Sequence, residues 1–234
     1  MKIFKILIIM ILLTGISITG FYTYQGYEMY KEAINETSIK TRVEEIKSDK
    51  NYTNIGNLPE MYKNAVIAVE DHRFYEHGAI DFISIGRAIY TNIKEKDLIE
   101  GGSTITQQVA KNIYFTQEKK LVRKIAEIFM AFELENELTK DEIFELYVNT
   151  SYFGDGYYNI KEASNGYFDK EPIEINDYEA TLLAGIPNAP SIYAPTKNPD
   201  LARQRQEQVI TKLVKYNYIT KEYANEILEE EYEF

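Results

Sequence analysis

Cysteine is absent from the chain, histidine occurs only twice, and basic residues are outnumbered by acidic ones. The first absence removes disulfide frameworks, thiolate metal sites and cysteine nucleophiles together. His72 and His77 have no cysteine or third histidine to complete a ligand set, so no structural zinc site is expected. With 26 Lys and Arg against 37 Asp and Glu, a formal charge of -11, the chain lacks the basic face that phosphate backbones reward. A nucleic-acid partner is not expected. Strand-like alternation is scarce, and internal repeats and low-complexity tracts are missing. What is present is 234 residues of ordinary apolar content, enough for one domain with a real core.

The amino terminus carries the clearest compartment signal. Lys2 and Lys5 precede an uncharged run, ILIIMILLTGISITGFY at residues 6–22. At about 17 to 20 residues such a run is roughly long enough to cross a bilayer core, with the lysines on the cytoplasmic side. A cleaved signal peptide is the competing reading, but no small-x-small site follows the run. The chain therefore divides into a membrane anchor at 1–22, a charged, tyrosine-containing stalk at 23–50 and a domain at 51–234. An enzyme facing outwards has no ATP and needs a substrate that is already activated.

Helical punctuation dominates the domain. Thr139 with Glu142, and Asn176 with Glu179, read as capping boxes, and Asn198-Pro199 places proline in a first helical turn. The proline-rich stretch at 185–199 reads as a long ordered loop. In GGSTITQQVAKN, residues 101–112, Thr104 and Gln107 form a third box, so a helix should begin near Thr104 after a Gly101-Gly102 turn. Free N–H groups there, with Lys111 one turn after Gln107, suit an anion; an ordinary capped helix explains the segment equally simply.

Two neighbouring stretches add chemistry. In residues 119–135, Leu121, Ile125, Ile128, Phe129 and Phe132 recur at helical spacing as a buried face. Glu127 falls off that stripe beside Arg123 and Lys124, either as a surface ion-pair ladder or as part of a site. Lys111, Lys119, Lys120, Arg123 and Lys124 form the most basic part of an acidic chain, which points to a phosphorylated ligand. In residues 65–82, a helix continued through His77 would stack Glu70, Phe74 and His77 on one side, with Asp71 about 100 degrees away. A carboxylate emerging from an apolar run suits a general base, although Arg73 could pair with Glu70 instead.

Taken in order, EDHRFYEHGAIDF, GGSTITQQVAKN, RKIAEIFMAFELE and DEIFELYVNTSYFGDGYYNIKEASNGYF resemble the motifs of the peptidoglycan glycosyltransferases, glycosyltransferase family 51. EATLLAGIPNAPSIYAPTKNP is similar to the segment that follows them, and the resemblance runs from about residue 57 to 218. It implies a mainly α, lysozyme-like helical domain behind an N-terminal transmembrane helix. It also implies polymerisation of lipid II into β-1,4 glycan strands with release of undecaprenyl pyrophosphate. Neither S-x-x-K nor K-T-G occurs, so a monofunctional enzyme without a transpeptidase is expected.

By the same resemblance Glu70 is the general base and Glu127 the second carboxylate. Asp71, Phe74, His77, Gly102, Ser103, Thr104, Gln107, Gln108, Lys111, Asn112, Lys119, Arg123 and Lys124 line the substrate site. No protein metal site and no tightly bound cofactor are implied, only a divalent cation, Mg or Mn, that could accompany the pyrophosphate. The implied partners are lipid II, the nascent strand, the membrane, and cell-wall synthesis proteins that the sequence does not specify. Moenomycin, a phosphoglycolipid donor mimic, should inhibit. Three positions depart from the family pattern: Gly78-Ala79 follows His77 where many members have glycine one place later, Asn159 replaces a usual glycine, and Lys119 replaces a frequent arginine. A lytic transglycosylase and a wall-binding scaffold are the rival readings; the first needs no pyrophosphate patch, and the second needs no pair of intact carboxylates.

Overall fold

The computed structural model describes residues 2–96, 101–115 and 120–230, and among them every regular element is helical. The first helix, α1 (Lys2–Glu36), does not stop at the end of the apolar run but continues through the tyrosine-containing segment. Its 35 residues make a rod about 52 Å long, against about 30 Å of bilayer hydrocarbon. It is long and apolar enough to cross a membrane, and its apolar window is not buried at all. Its far half lies on the domain, with Tyr30 buried there. Ser38 then caps α2 (Ile39–Lys47), whose Ile39 and Val43 join the same core.

The domain proper consists of α3 (Glu60–Glu70), α4 (Phe82–Glu95), α5 (Ile105–Tyr114), α6 (Lys120–Glu137), α7 (Lys140–Thr150), α8 (Ile160–Phe168), α9 (Asp177–Gly185), α10 (Pro190–Tyr193), α11 (Pro199–Lys215) and α12 (Lys221–Glu229). Helix α9 sits deepest: every residue from Tyr178 to Gly185 is buried, as expected of a helix that is apolar on all sides. Its buried charge, Glu179, is held by both Lys170 Nζ contacts (2.7 and 2.9 Å) and by the Asn176 amide. Helices α3 and α11 pack on α9 and on each other, while α5 packs on α6 and α7. Tyr62, Phe74, Ile105, Met130, Phe144 and Tyr147 fill the space between.

Most of the punctuation is where the sequence places it. Both expected capping boxes form, at Thr139/Glu142 and Asn176/Glu179, and Pro199 opens α11. Asn159, at the position where glycine is usual, caps α8 by accepting the Glu162 amide. The expected loop at 185–199 is instead partly wound into a turn of 3-10 helix (Ile186–Asn188) and the short α10, where Pro187 and Pro190 sit in first-turn positions that need no N–H.

The buried face of α6 differs from the expected stripe. Leu121 and Phe132 are 56% and 48% exposed, whereas Val122, Ala126, Met130 and Leu134 go inside together with Glu127. Helix α6 packs mainly on two helices, α1 and α5, and a single-stripe reading assumes one. Phe129 stacks on Tyr30 and meets Tyr27 edge-on, so part of the larger apolar set serves α1.

Candidate active site

Glu70 is the last residue of α3, and the helix ends there, not at His77 as the spacing suggests. Asp71 leaves helical geometry at φ -157°, ψ 75° because its carboxylate has stronger partners elsewhere. Its Oδ1 lies 2.7 Å from His77 Nε2 and its Oδ2 accepts the Ile105 amide at 3.0 Å. Phe74 and His77 consequently share no helix face with Glu70. Phe74 is in the core, and the His77 side chain, 5% exposed, props the turn. His77 Nδ1 faces the Gly78 carbonyl at 2.6 Å, so both ring nitrogens point at acceptors and both are called on to donate. Burial opposes protonation of His77, but the bond and charge of Asp71 outweigh it and raise the pKa.

The amino terminus of α5 is also occupied from within. The Asp71 carboxylate takes the Ile105 amide and the Thr104 hydroxyl takes the Gln107 amide, so these two N–H groups are not free for a ligand. Only half of the expected Thr104/Gln107 box forms, since Gln107 Nε2 and Thr104 Oγ1 both donate to the Ala79 carbonyl at 3.1 Å. Gly101, Gly102, Ser103 and Thr104 line a compartment of about 620 Å³ with Glu70 and residues of α11.

A second compartment, about 290 Å³, adjoins it through Glu70, Gly101 and Ser103 and is lined by Gln107, Gln108, Lys111, Lys124 and Glu127. Gln108 Nε2 donates to Glu70 Oε2 at 2.7 Å. Glu127, only 3% exposed, pairs with Arg123 Nε at 3.0 Å and Lys124 Nζ at 3.1 Å, and Lys124 also donates to Ser103 Oγ at 2.7 Å. The Arg123–Glu127–Lys124 set is therefore a part-buried network, not a surface ladder. Burial pulls the Lys111 ammonium below the usual lysine range; Glu127 opposes this, Arg123 and Lys124 add to it, and Glu70 opposes it again. Tertiary packing thus gathers Glu70, Ser103, Gln108, Lys111, Lys124 and Glu127 in one cleft, with Arg123 bound to Glu127. Asn112 is not among the residues lining either compartment, and Lys119 lies outside the described residues.

Asp71, His77 and Asp81 place three potential metal-ligand atoms within 4.8 Å of one another. Each already has partners within the protein, Asp71 and His77 each other and Asp81 the most. Asp81 Oδ1 accepts the Ile83 and Ser84 amides, and Oδ2 accepts Arg73 Nε and Ser84 Oγ. Burial disfavours ionised Asp81, but the Ser84 and Arg73 bonds overcome it and hold the carboxyl well below the usual range. The cluster is a structural strut between the turn and α4.

Sequence reasoning placed the start of α11 but missed its part in the site. Arg205, Gln204, Gln208 and Thr211 line the larger compartment, and Arg205 Nη2 lies 3.6 Å from Glu70 Oε1. In sequence Arg205 stands in QRQEQ, which reads as a solvated helix face; nothing local marks it.

The comparisons with known proteins agree with the motif order. The family model described as Transglycosylase matches residues 36–214. Penicillin-binding protein 1F of Bacillus subtilis (strain 168) is 44% identical over 170 residues, 73% of this chain and 24% of that protein. Penicillin-binding protein 1A of Neisseria lactamica is 42% identical over 180 residues, 77% of this chain and 23% of that protein. The chain thus spans about a quarter of the length of these relatives. The crystal structure of Penicillin-Binding Protein 1A from Haemophilus influenzae aligns at a TM-score of 0.47 and 19% identity, over 78% of this chain and 18% of that one. A family model spanning most of the domain, joined by relatives above 40% identity, shows that the chain belongs to the transglycosylase family.

Proposed function

We propose that this chain is a membrane-anchored peptidoglycan glycosyltransferase that polymerises lipid II into β-1,4 glycan and releases undecaprenyl pyrophosphate. One observation carries the reading: two carboxylates, Glu70 and Glu127, share a cleft whose cations gather around Glu127. Glu70 accepts the proton of the incoming 4-hydroxyl as its oxygen attacks the anomeric carbon of the growing chain. The bond from that carbon to pyrophosphate breaks with inversion, and Lys111, Arg123 and Lys124 take up the charge that develops on the leaving group. Glu127 holds two of these cations in place. Both cleft carboxylates are already paired with cations, an arrangement poorly suited to a protein-held metal. A divalent ion would enter with the pyrophosphate, and the reading includes no resident cofactor.

In the bilayer, α1 spans with Lys2 and Lys5 on the cytoplasmic side and the domain outside. The exposed apolar residues Phe82, Ile83, Ile89, Tyr90 and Ile93 of α4 rest on lipid, close to a substrate that never leaves the membrane. The test is full-length protein in detergent with labelled lipid II. Polymer, blocked by moenomycin and untouched by penicillin, is the expected result. Muropeptide release from sacculi without polymer would instead assign the lytic class.

A further inference from the structure

The two oxygens of Glu70 are in different situations. Oε2 is fixed by Gln108, whereas Oε1 is buried and has no hydrogen-bond partner. A base must keep a lone pair open for the proton it receives, and Oε1, with both of its lone pairs unclaimed by any hydrogen bond, is the better placed of the two oxygens. Arg205 Nη2 stands 3.6 Å away, beyond hydrogen-bond length but within ion-pair reach, so it attracts the oxygen without occupying it.

The guanidinium is built into this place from α9 and α10. Its side chain is 12% exposed; Nε donates to the Gly185 carbonyl at 3.4 Å, Nη1 donates to Gln208 Oε1 at 2.9 Å, and the Tyr193 ring lies 5.9 Å away. The stem crosses α9 at Gly185, where a Cβ would come within 2.9 Å of Arg205 Cγ. Any larger residue there would push the arginine aside.

The geometry points to Arg205 as a positioning residue that acts through Glu70, holding Oε1 ready to receive the acceptor's proton. This rests on the function proposed above. In the step served, the hydroxyl proton ends on Oε1, the hydroxyl oxygen's electron pair forms the glycosidic bond, and the pyrophosphate leaves with the electrons of the broken C–O bond. Gln108 and Arg205 together fix the carboxylate from opposite helices, α5 and α11, so its orientation depends on both.

Two measurements test this in the full-length protein. Arg205→Met should lower kcat on lipid II about 10- to 100-fold with little change in KM, the size expected of a misplaced catalytic group. Arg205→Lys should recover part of the rate, and added guanidinium should partly restore Arg205→Ala. A thermal cycle with Glu70→Gln reads the same contact without activity. Arg205→Met should lower Tm by about 4 °C more beside Glu70 than in the Glu70→Gln background, where no buried charge is left unpaired. Additive Tm effects, or a raised KM with normal kcat, would overturn the assignment. Should wild type make no polymer, the proposed function fails while the thermal cycle still decides whether Arg205 holds Glu70.

Discussion

Gly26 offers a direct test of whether α1 is only a tether. A Cβ built there would lie 2.5 Å from Ile125 Cγ2, 2.7 Å from Ile125 Cβ and 3.1 Å from the Val122 carbonyl. Two of these three atoms are backbone or the base of a side chain, so rotating Ile125 cannot relieve the clash. Gly26→Leu should gain about 0.8 kcal/mol of helix propensity and lose about 3 kcal/mol to overpacking. The net loss of about 2 kcal/mol corresponds to a Tm about 4 to 8 °C lower in a chain of this size. Ile125 lies between Arg123 and Glu127 on α6, so the displacement reaches the cation cluster. A shift of about 1 Å there can cost about 100-fold in rate. Gly20 on the same helix has nothing within 4 Å of its added Cβ, and Gly20→Leu is the matched control. Differential scanning fluorimetry and lipid II polymerisation in detergent, where membrane tethering does not matter, give the two readouts. Identical behaviour of the two variants would refute the idea that α1 braces the site.

Deleting residues 1–22 keeps the Gly26 contact, so activity in detergent should persist while activity on bilayer lipid II falls through lost co-localisation; equal activity in liposomes would contradict this. Glu70→Gln should abolish turnover, by about 100- to 10,000-fold for the base alone, with moenomycin affinity nearly intact; Glu127→Gln should change both rate and affinity, because it frees Arg123 and Lys124. Since the Lys111 pKa is lowered, moenomycin affinity should fall with rising pH before an ordinary lysine titrates near 10.5, and Lys111→Arg should move that limb upward, as binding titrations across alkaline pH would show. For His77 the folded pKa is raised, so the stabilisation from its pair with Asp71 is complete below 6.5 and is lost as pH rises through the folded value. The Tm gap between wild type and His77→Gln should therefore narrow from mildly acidic to alkaline pH.

Local rules were readable from the sequence because they act within a few residues. The apolar run of α1, the capping boxes of α7 and α9, the start of α5 at Thr104 and the proline opening α11 all depend on neighbours in the chain. Glu70, Gln108, Lys111, Lys124 and Glu127 were legible as a set because their motifs occur in a specific order, and the fold brings them to one cleft. Tertiary structure decided what distant contacts control. Helix α3 stops at Glu70 because the Asp71 carboxylate bonds an amide 34 residues away, which no helical periodicity registers. The inner face of α6 was settled by its packing mainly on two helices, α1 and α5, instead of one. Arg205 reached Glu70 only because α11 packs across α9 at a glycine, and neither the charge nor the spacing of QRQEQ carries that information.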